Sequence, residues 1–362
     1  MRQIKVGIAG VGGIGLACAA WIAERGHDVA VWGPRGGAQV LQETQLTATG
    51  ALNATLKITL APSAQALADH ADVVLIAVPA NGHRAVMEAL LPYLRSGQLV
   101  IVSAIGSLSS LYLYEAALVC GKRIGVASFG TTALTARRKT PVEVNIMTRR
   151  ASVGVSCLPQ AMLPDALAIC ENLFGGVFVV EDNPLVSSLS NTNAVGHVPL
   201  ALFNWTRIER AEAWPQYHYM TPHVCGVIEK LDAERLAVAQ AFGLTLRGVA
   251  QHFIRSFQID ATELSVVAAE LHKRRGGPPG PTEVDTRYLT EDVPFGLVFQ
   301  LALARVAGVA VPVTELMIGA SDLITGQALS AANDLIAVLG LSDGAVTSLM
   351  KRVTVADFPA TA

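Results

Sequence analysis

The sequence predicts an α/β protein in two parts: a doubly wound parallel sheet followed by a mostly helical domain. Three observations carry that expectation. A β-branched apolar run, Ile4 to Ala9, flows directly into Gly10-Val11-Gly12-Gly13-Ile14-Gly15. Short apolar runs then alternate with helical patterns to about residue 180, the rhythm of a parallel sheet covered on both faces. After Ser190-Asn191-Thr192-Asn193-Ala194-Val195-Gly196-His197-Val198-Pro199, helical periodicity dominates. A chain of 362 residues is too long for one typical core. The best linker candidate is Glu181-Asp182-Asn183-Pro184, which predicts domains at 1–183 and 184–362.

Composition narrows the class. Apolar residues make up 51% and charged residues 15%, enough for a large core and unlike any disordered chain. A formal charge of −2 argues against a nucleic-acid surface. No long uncharged apolar run suggests a membrane span. The N-terminus enters a strand at once, with no room for a signal peptide, so a cytoplasmic location is expected. Cys18, Cys120, Cys157, Cys170 and Cys225 are odd in number and form no CxxC pair. They read as reduced core thiols, with no metal site. A homodimer is compatible with this reading.

In the first half, strand, GxGxxG, helix and strand follow one another. Gly10 permits a tight turn, Gly12 lets the backbone approach a pyrophosphate, and Gly15 lets the helix pack on the strand. Gly13 and Ile14 complete the loop, and the helix start offers free N–H groups to phosphate. The helical pattern runs from Leu16 to Arg25 and stops at Gly26. Such a segment opens a Rossmann domain that binds a dinucleotide. The second strand, Val29 to Trp32, is followed by Gly33-Pro34-Arg35-Gly36. No acid stands there to hold a ribose 2′-hydroxyl, and Arg35 can meet a 2′-phosphate, so NADPH is expected over NADH, with NAD still admissible. Further strands are expected at 71–78, 99–104, 123–127, 142–147 and 176–180, with a helix at about 84–91. Ligands bind beyond the carboxyl ends of such strands, which places Val78-Pro79-Ala80 and Ser103-Ala104 beside the nicotinamide.

In the second half, Asn193 and His197 stand four apart, on one face if the stretch is helical. On spacing alone the plainer account, a buried His satisfied by its neighbours, is favoured. Lys230-Leu231-Asp232-Ala233-Glu234-Arg235 leads into a helix that stops near Gly243. His272-Lys273-Arg274-Arg275-Gly276-Gly277-Pro278-Pro279-Gly280-Pro281 reads as a loop broken by its prolines, with a solvated mobile loop favoured and a lid over the cleft as the alternative. In the stretch Asp285 to Leu297, Thr290 is expected to cap a helix with Glu291 and Asp292 in its first turn. Phe203, Trp205, Trp214, Tyr217, Tyr219 and Met220 are candidate pocket residues, though such aromatics are more often fillers.

Asn191-Thr192-Asn193 with His197, then the Lys230–Arg235 motif, then Arg287-Tyr288 with Glu291-Asp292-Val293, resembles the octopine/nopaline (opine) dehydrogenase family. The resemblance spans nearly the whole chain. It implies substrates bound between a Rossmann domain and a helical domain. It also implies NAD(P)H-dependent reductive condensation of an amino acid with an α-keto acid to a secondary amine. The family's acid/base His falls on His197, its Asp partner on Asp292, and its carboxylate-binding Arg on Arg287. Asn193, a turn before His197, is a candidate for the carboxamide or the substrate. The chain departs from the family in having Ser128 where relatives carry Glu, and Val198 between His197 and Pro199. A ketopantoate reductase or glycerol-3-phosphate dehydrogenase-like enzyme shares the two-domain plan but relies on a catalytic Lys, which this chain lacks beside Asn193. A non-catalytic NADP(H)-binding sensor would keep the glycines and have no need of His197, Arg287 and Asp292.

Overall fold

A computed structural model describes residues 2–36, 45–342 and 344–359. The chain forms two compact units, Met1–Ser188 with Lys351–Ala362, and Leu189–Met350. The expected domains, 1–183 and 184–362, differ from these units in placing the last residues with the helical part.

In the first unit, β-branched runs with apolar residues on both faces build buried strands, and short helices return the chain between them. The strands are β1 (Lys5–Ala9), β2 (Asp28–Trp32), β3 (Leu46–Gly50), β4 (Ala54–Leu56), β5 (Thr59–Leu60), β6 (Val73–Ile76), β7 (Leu99–Ser103), β8 (Gly125–Phe129), β9 (Leu134–Thr140), β10 (Glu143–Arg149), β11 (Val153–Leu158) and β12 (Phe178–Val180). The intervening helices are α1 (Gly13–Glu24), α2 (Ala64–His70), α3 (His83–Leu90), α4 (Ser109–Val119) and α5 (Leu163–Phe174). The main sheet runs β12-β11-β8-β7-β6-β1-β2-β5. Its neighbours pair in parallel, as a doubly wound sheet requires, except for the one antiparallel pairing of β8 with β11. Strand order reverses at β1, which lies between β2 and β6, and this is where such a sheet opens a ligand crevice.

The expected strands at 123–127 and 142–147 begin two and one residues later, and the one at 176–180 begins at Phe178. A second sheet, β4-β3-β10-β9, was not foreseen. Its β9 reads Leu-Thr-Ala-Arg-Arg-Lys-Thr, with an exposed polar end that local pattern assigns to loop. The C-terminal residues return to this unit. The Gln160 and Ala161 amides donate to the Val355 and Ala356 carbonyls, and Arg352 pairs with Glu115 through two 2.7 Å bonds. Of the five cysteines, Cys120 is exposed and the others are buried. Burial pushes the Cys18 and Cys157 thiols up to about 12.

The second unit is helical. Its elements are α6 (Pro184–Leu189, shared with the end of the first unit), α7 (Asn193–Leu202), α8 (Trp205–Glu209), α9 (Gln216–Tyr219), α10 (Pro222–Ala241), α11 (Val249–Phe257), α12 (Leu264–Arg275) and α13 (Arg287–Thr290). A π-helical turn, Val293–Val298, precedes α14 (Phe299–Ala307), α15 (Pro312–Thr325) and α16 (Val346–Val353, whose last residues belong to the first unit). The core gathers Val195, Val198, Leu231, Leu264, Leu289 and Val293.

The Lys230–Arg235 motif staples this unit together. Arg235, 2% exposed, donates to Asp232 and to the Leu189 and Arg247 carbonyls, while Asp232 also accepts from the Val249 amide at 2.7 Å. Glu234 accepts from the Val313 and Thr314 amides, both at 2.8 Å, and so caps α15. Removing either member of the buried pair would strand a charge, at a cost of about 3–5 kcal/mol.

Two loop expectations are corrected. His272 to Arg275 are the last turn of α12, which ends at Gly276 with φ +70°. The remaining Gly277–Pro281 segment is tied down rather than freely solvated. The Gly280 amide donates to the Trp214 carbonyl (2.7 Å), the Trp214 indole to the Pro281 carbonyl (2.9 Å), and the Gln216 amide to the Pro278 carbonyl (3.0 Å). Its glycines are steric requirements, since a Cβ at Gly280 would lie 2.2 Å from the Trp214 ring. Likewise Thr286, not Thr290, caps α13, accepting from the Tyr288 amide at 3.3 Å.

Candidate active site

The first unit presents a backbone cradle. Gly10 takes φ +134°, and its amide donates to the Trp32 carbonyl at 2.9 Å. A Cβ on Gly10 would lie 2.4 Å from the Ala77 carbonyl oxygen, and one on Gly15 only 2.0 Å from the Gly10 oxygen. Both positions therefore require glycine, for the turn and for helix packing. Gly12 differs, because nothing lies within 4 Å of the Cβ it would carry. α1 begins beside it with no side-chain cap and no acid in its first turn. An uncapped helix start beside open space at Gly12 suits a pyrophosphate. A Cβ on Gly13 would lie 3.0 Å from the Ala136 oxygen and the Arg138 nitrogen of β9, and Ile14 packs against the core. Arg138 also donates to the Val11 carbonyl at 2.8 Å, a brace that sequence reasoning missed because β9 was not recognised as a strand.

Across the crevice, Val78 and Pro79 follow β6, with Val78 lying 3.2 Å from the position of a Gly10 Cβ. The Val78 carbonyl is held by His83, which is fully buried. A carbonyl only accepts, so His83 Nε2 carries the hydrogen (3.1 Å) and Nδ1 accepts from the Ser109 hydroxyl (2.8 Å). Burial lowers this imidazole to about 4, so it is a neutral brace. After β2, Gly33-Pro34-Arg35 carries no carboxylate, and Arg35 is exposed. Ser128 is buried with no hydrogen-bond partner for its hydroxyl among the described residues.

The second unit presents a side-chain cluster. His197 lies on α7 with its Nδ1 2.8 Å from Asp292 Oδ2, across 95 positions of sequence. Asp292 ends the short stretch after α13, where the helix widens into the π-helical turn. The pair is partly open, with side-chain exposures of 28% and 16%. The Tyr288 ring lies flat on the imidazole, with centroids 3.8 Å apart and planes 5° apart. Tyr288 and Asp292 stand four apart, a spacing that could have flagged Tyr288 from sequence. The Gln216 side-chain amide donates to the Tyr288 hydroxyl.

The other two predicted residues stand apart from this pair. Arg287 is 72% exposed and meets Glu291 at 3.5 Å. Asn193 is exposed at the start of α7, where its amide donates to Asn191 Oδ1 at 3.0 Å. Of the candidate pocket residues, Tyr217 and Met220 line a cavity of about 440 Å³ with His218 and His272. Trp205 and Trp214 are core, and Phe203 is 52% exposed.

A His–carboxylate pair can take and return protons while its tautomer stays fixed, and a glycine cradle at a strand-order reversal can hold a dinucleotide. Known proteins resemble each of the two units. Residues 180–324 match the family described as NAD/NADP octopine/nopaline dehydrogenase, alpha-helical domain, and residues 6–160 match ketopantoate reductase PanE/ApbA. An opine dehydrogenase of Arthrobacter sp. (strain 1C) is 32% identical, over 88% of this chain and 89% of that protein. D-nopaline dehydrogenase of Agrobacterium tumefaciens (strain T37) is 26% identical, over 87% and 84%. The structure of octopine dehydrogenase with NADH and L-arginine superposes with a TM-score of 0.80 at 18% identity, covering 99% of this chain and 100% of that one. Yersinopine dehydrogenase with NADP+ gives 0.70 at 16%, covering 97% and 98%. Among the described residues, no helix is long and apolar enough to cross a membrane. The ketopantoate reductase family match covers residues 6–160, whereas the Arthrobacter relative runs through both halves; the chain belongs to the octopine/nopaline dehydrogenase family of opine-type oxidoreductases.

Proposed function

We propose that the protein condenses an amino acid with an α-keto acid and reduces the product with NADPH, giving an N-(carboxyalkyl) amino acid. The observation that carries this reading is the His197–Asp292 contact, 2.8 Å between residues 95 positions apart. An amino acid is an ammonium near neutral pH and becomes a nucleophile only on losing a proton. His197 takes that proton through the ring nitrogen that Asp292 leaves open, and later returns one to the departing carbonyl oxygen, which leaves as water. Asp292 accepts the Nδ1 hydrogen, fixes the tautomer and offsets the charge of the imidazolium. Arg287, exposed and only loosely met by Glu291, is suited to grip the keto-acid carboxylate through two parallel hydrogen bonds. Asn193 offers an exposed amide to the substrate or the carboxamide.

The glycine cradle fits a dinucleotide: the Gly10 turn, the open space at Gly12 and the uncapped start of α1 supply room and N–H donors for a pyrophosphate. Val78 and Pro79 would border the nicotinamide, and Arg35 would meet the 2′-phosphate of a bound NADPH. The bound cofactor supplies the hydride that reduces the imine carbon. For each turnover one amino acid, one keto acid, NADPH and a proton give the secondary amine, NADP+ and water.

The test is NADPH oxidation with pyruvate or 2-oxoglutarate paired with each standard amino acid, followed by kcat/KM for NADPH and NADH on the best pair. Turnover that requires both substrates, with NADPH preferred, is expected. Oxidation by the keto acid alone would identify a simple 2-oxo acid reductase, and silence with every pair would favour a sensor. A clear NADH preference would remove Arg35 from the 2′-phosphate.

A further inference from the structure

We propose that Tyr288 is a positioning residue for His197, and that the Gly277–Pro281 segment sets Tyr288 through Gln216. The inference deepens the acid–base reading of His197 and rests on it. Asp292 holds the imidazole by one edge only, at Nδ1. A single hydrogen bond tolerates tilting of the ring, because such bonds weaken steeply only well away from linearity. The second restraint is the phenol face, parallel to the imidazole within 5° at 3.8 Å. Together the edge and the face fix both the direction and the plane of the ring, and so the aim of Nε2. The negative face of the tyrosine ring also favours the imidazolium, the form that His197 reaches after taking a proton.

Tyr288 is itself held at its far end. Gln216, buried on α9, spends its side-chain amide on two acceptors, the Tyr288 hydroxyl and the Pro279 carbonyl at 3.0 Å. Its main-chain amide donates to the Pro278 carbonyl at 3.0 Å, and Pro215 bridges to Pro279. The Pro/Gly segment, the buried glutamine, the tyrosine and the histidine therefore form one continuous set of contacts. A filler tyrosine would need neither the parallel stack nor a buried amide on its hydroxyl.

Three variants test this on the full chain, with the substrate pair found in the NADPH screen. Tyr288→Leu is expected to lower kcat by about tenfold or more, with substrate KM values and NADPH Kd within about threefold, because aromatic stacking is lost while binding groups remain. Tyr288→Phe keeps the face but loses the hydroxyl that Gln216 holds, so its kcat should fall about as far as that of Gln216→Leu and less than that of Tyr288→Leu. Gln216→Leu, which leaves the ring in place and cuts its tether, should also lower kcat with little change in KM. The independent readout is NMR of the His197 ring. Its Cε1 and Cδ2 protons lie under the Tyr288 ring current, and should move downfield in Tyr288→Leu and stay in Tyr288→Phe. A downfield move with unchanged kcat would overturn the proposal, as would absence of any move. Unchanged kcat in Gln216→Leu would overturn the link to the Pro/Gly segment even if Tyr288→Leu did not fold. Failure of the underlying reading is distinct: His197→Ala would then retain turnover whatever Tyr288 did.

Discussion

The two units prepare for chemistry by opposite means. The first makes its cradle by removing side chains: at Gly10 and Gly15 a single methyl would collide with backbone, and at Gly12 its absence leaves space. The second makes its cluster by adding them, with His197, Gln216, Tyr288 and Asp292 drawn from three separate stretches. A cradle of backbone is local and tolerates no substitution that intrudes. A cluster of side chains is assembled by packing, and each member can be altered without rebuilding the fold. Damage is therefore expected to show as lost folding or cofactor binding in the first unit and as lost turnover in the second.

The largest contrast is expected within the glycine loop itself. Gly15→Ala would place a methyl 2.0 Å from the Gly10 oxygen, so the variant should yield little folded protein or lose dinucleotide binding outright. Gly12→Ala should fold with unchanged thermal stability, since its backbone is extended and nothing lies nearby. Its NADPH Kd should still rise by about tenfold or more, the consequence of roughly 1–3 kcal/mol of crowding where phosphate approaches. Calorimetry and fluorescence titration of both variants check this, and equal behaviour of the two would break the distinction.

A smaller effect should appear in pH dependence. His83 is lowered to about 4 by burial, below its ordinary 6.5. The unfolded chain therefore protonates first as pH falls. The stabilising contribution of the neutral brace is complete above about pH 6.5 and is lost progressively toward pH 4, amounting to at most about 3 kcal/mol. Urea unfolding at pH 7.5 and pH 5 should show a decline in the native protein that is reduced in His83→Gln. Equal declines would show that His83 does not carry it.

The same contrast explains what was legible in sequence. Glycine roles follow from local sterics, so Gly10 to Gly15 could be read from the chain, and the β1–α1–β2 unit with them. The pairing of His197 with Asp292 came through family resemblance, because no local rule joins positions 95 apart. The spacing of Tyr288 from Asp292 puts both near His197, but the stack itself depends on how α7 and α13 pack, which no local pattern gives. The Gly277–Pro281 segment read as mobile because proline and glycine exclude helix, but composition cannot reveal that Trp214 and Gln216 wait to receive it. The strand β9 was missed for a related reason: its cations face outward, and only the partner strand β10 makes it regular.

The most direct test is turnover of His197→Ala beside its NADPH affinity. A positioned acid–base group contributes on the order of 10²–10⁴ in rate, so kcat should fall by at least about a hundredfold while NADPH Kd stays unchanged. Near-normal kcat in that variant would contradict the account.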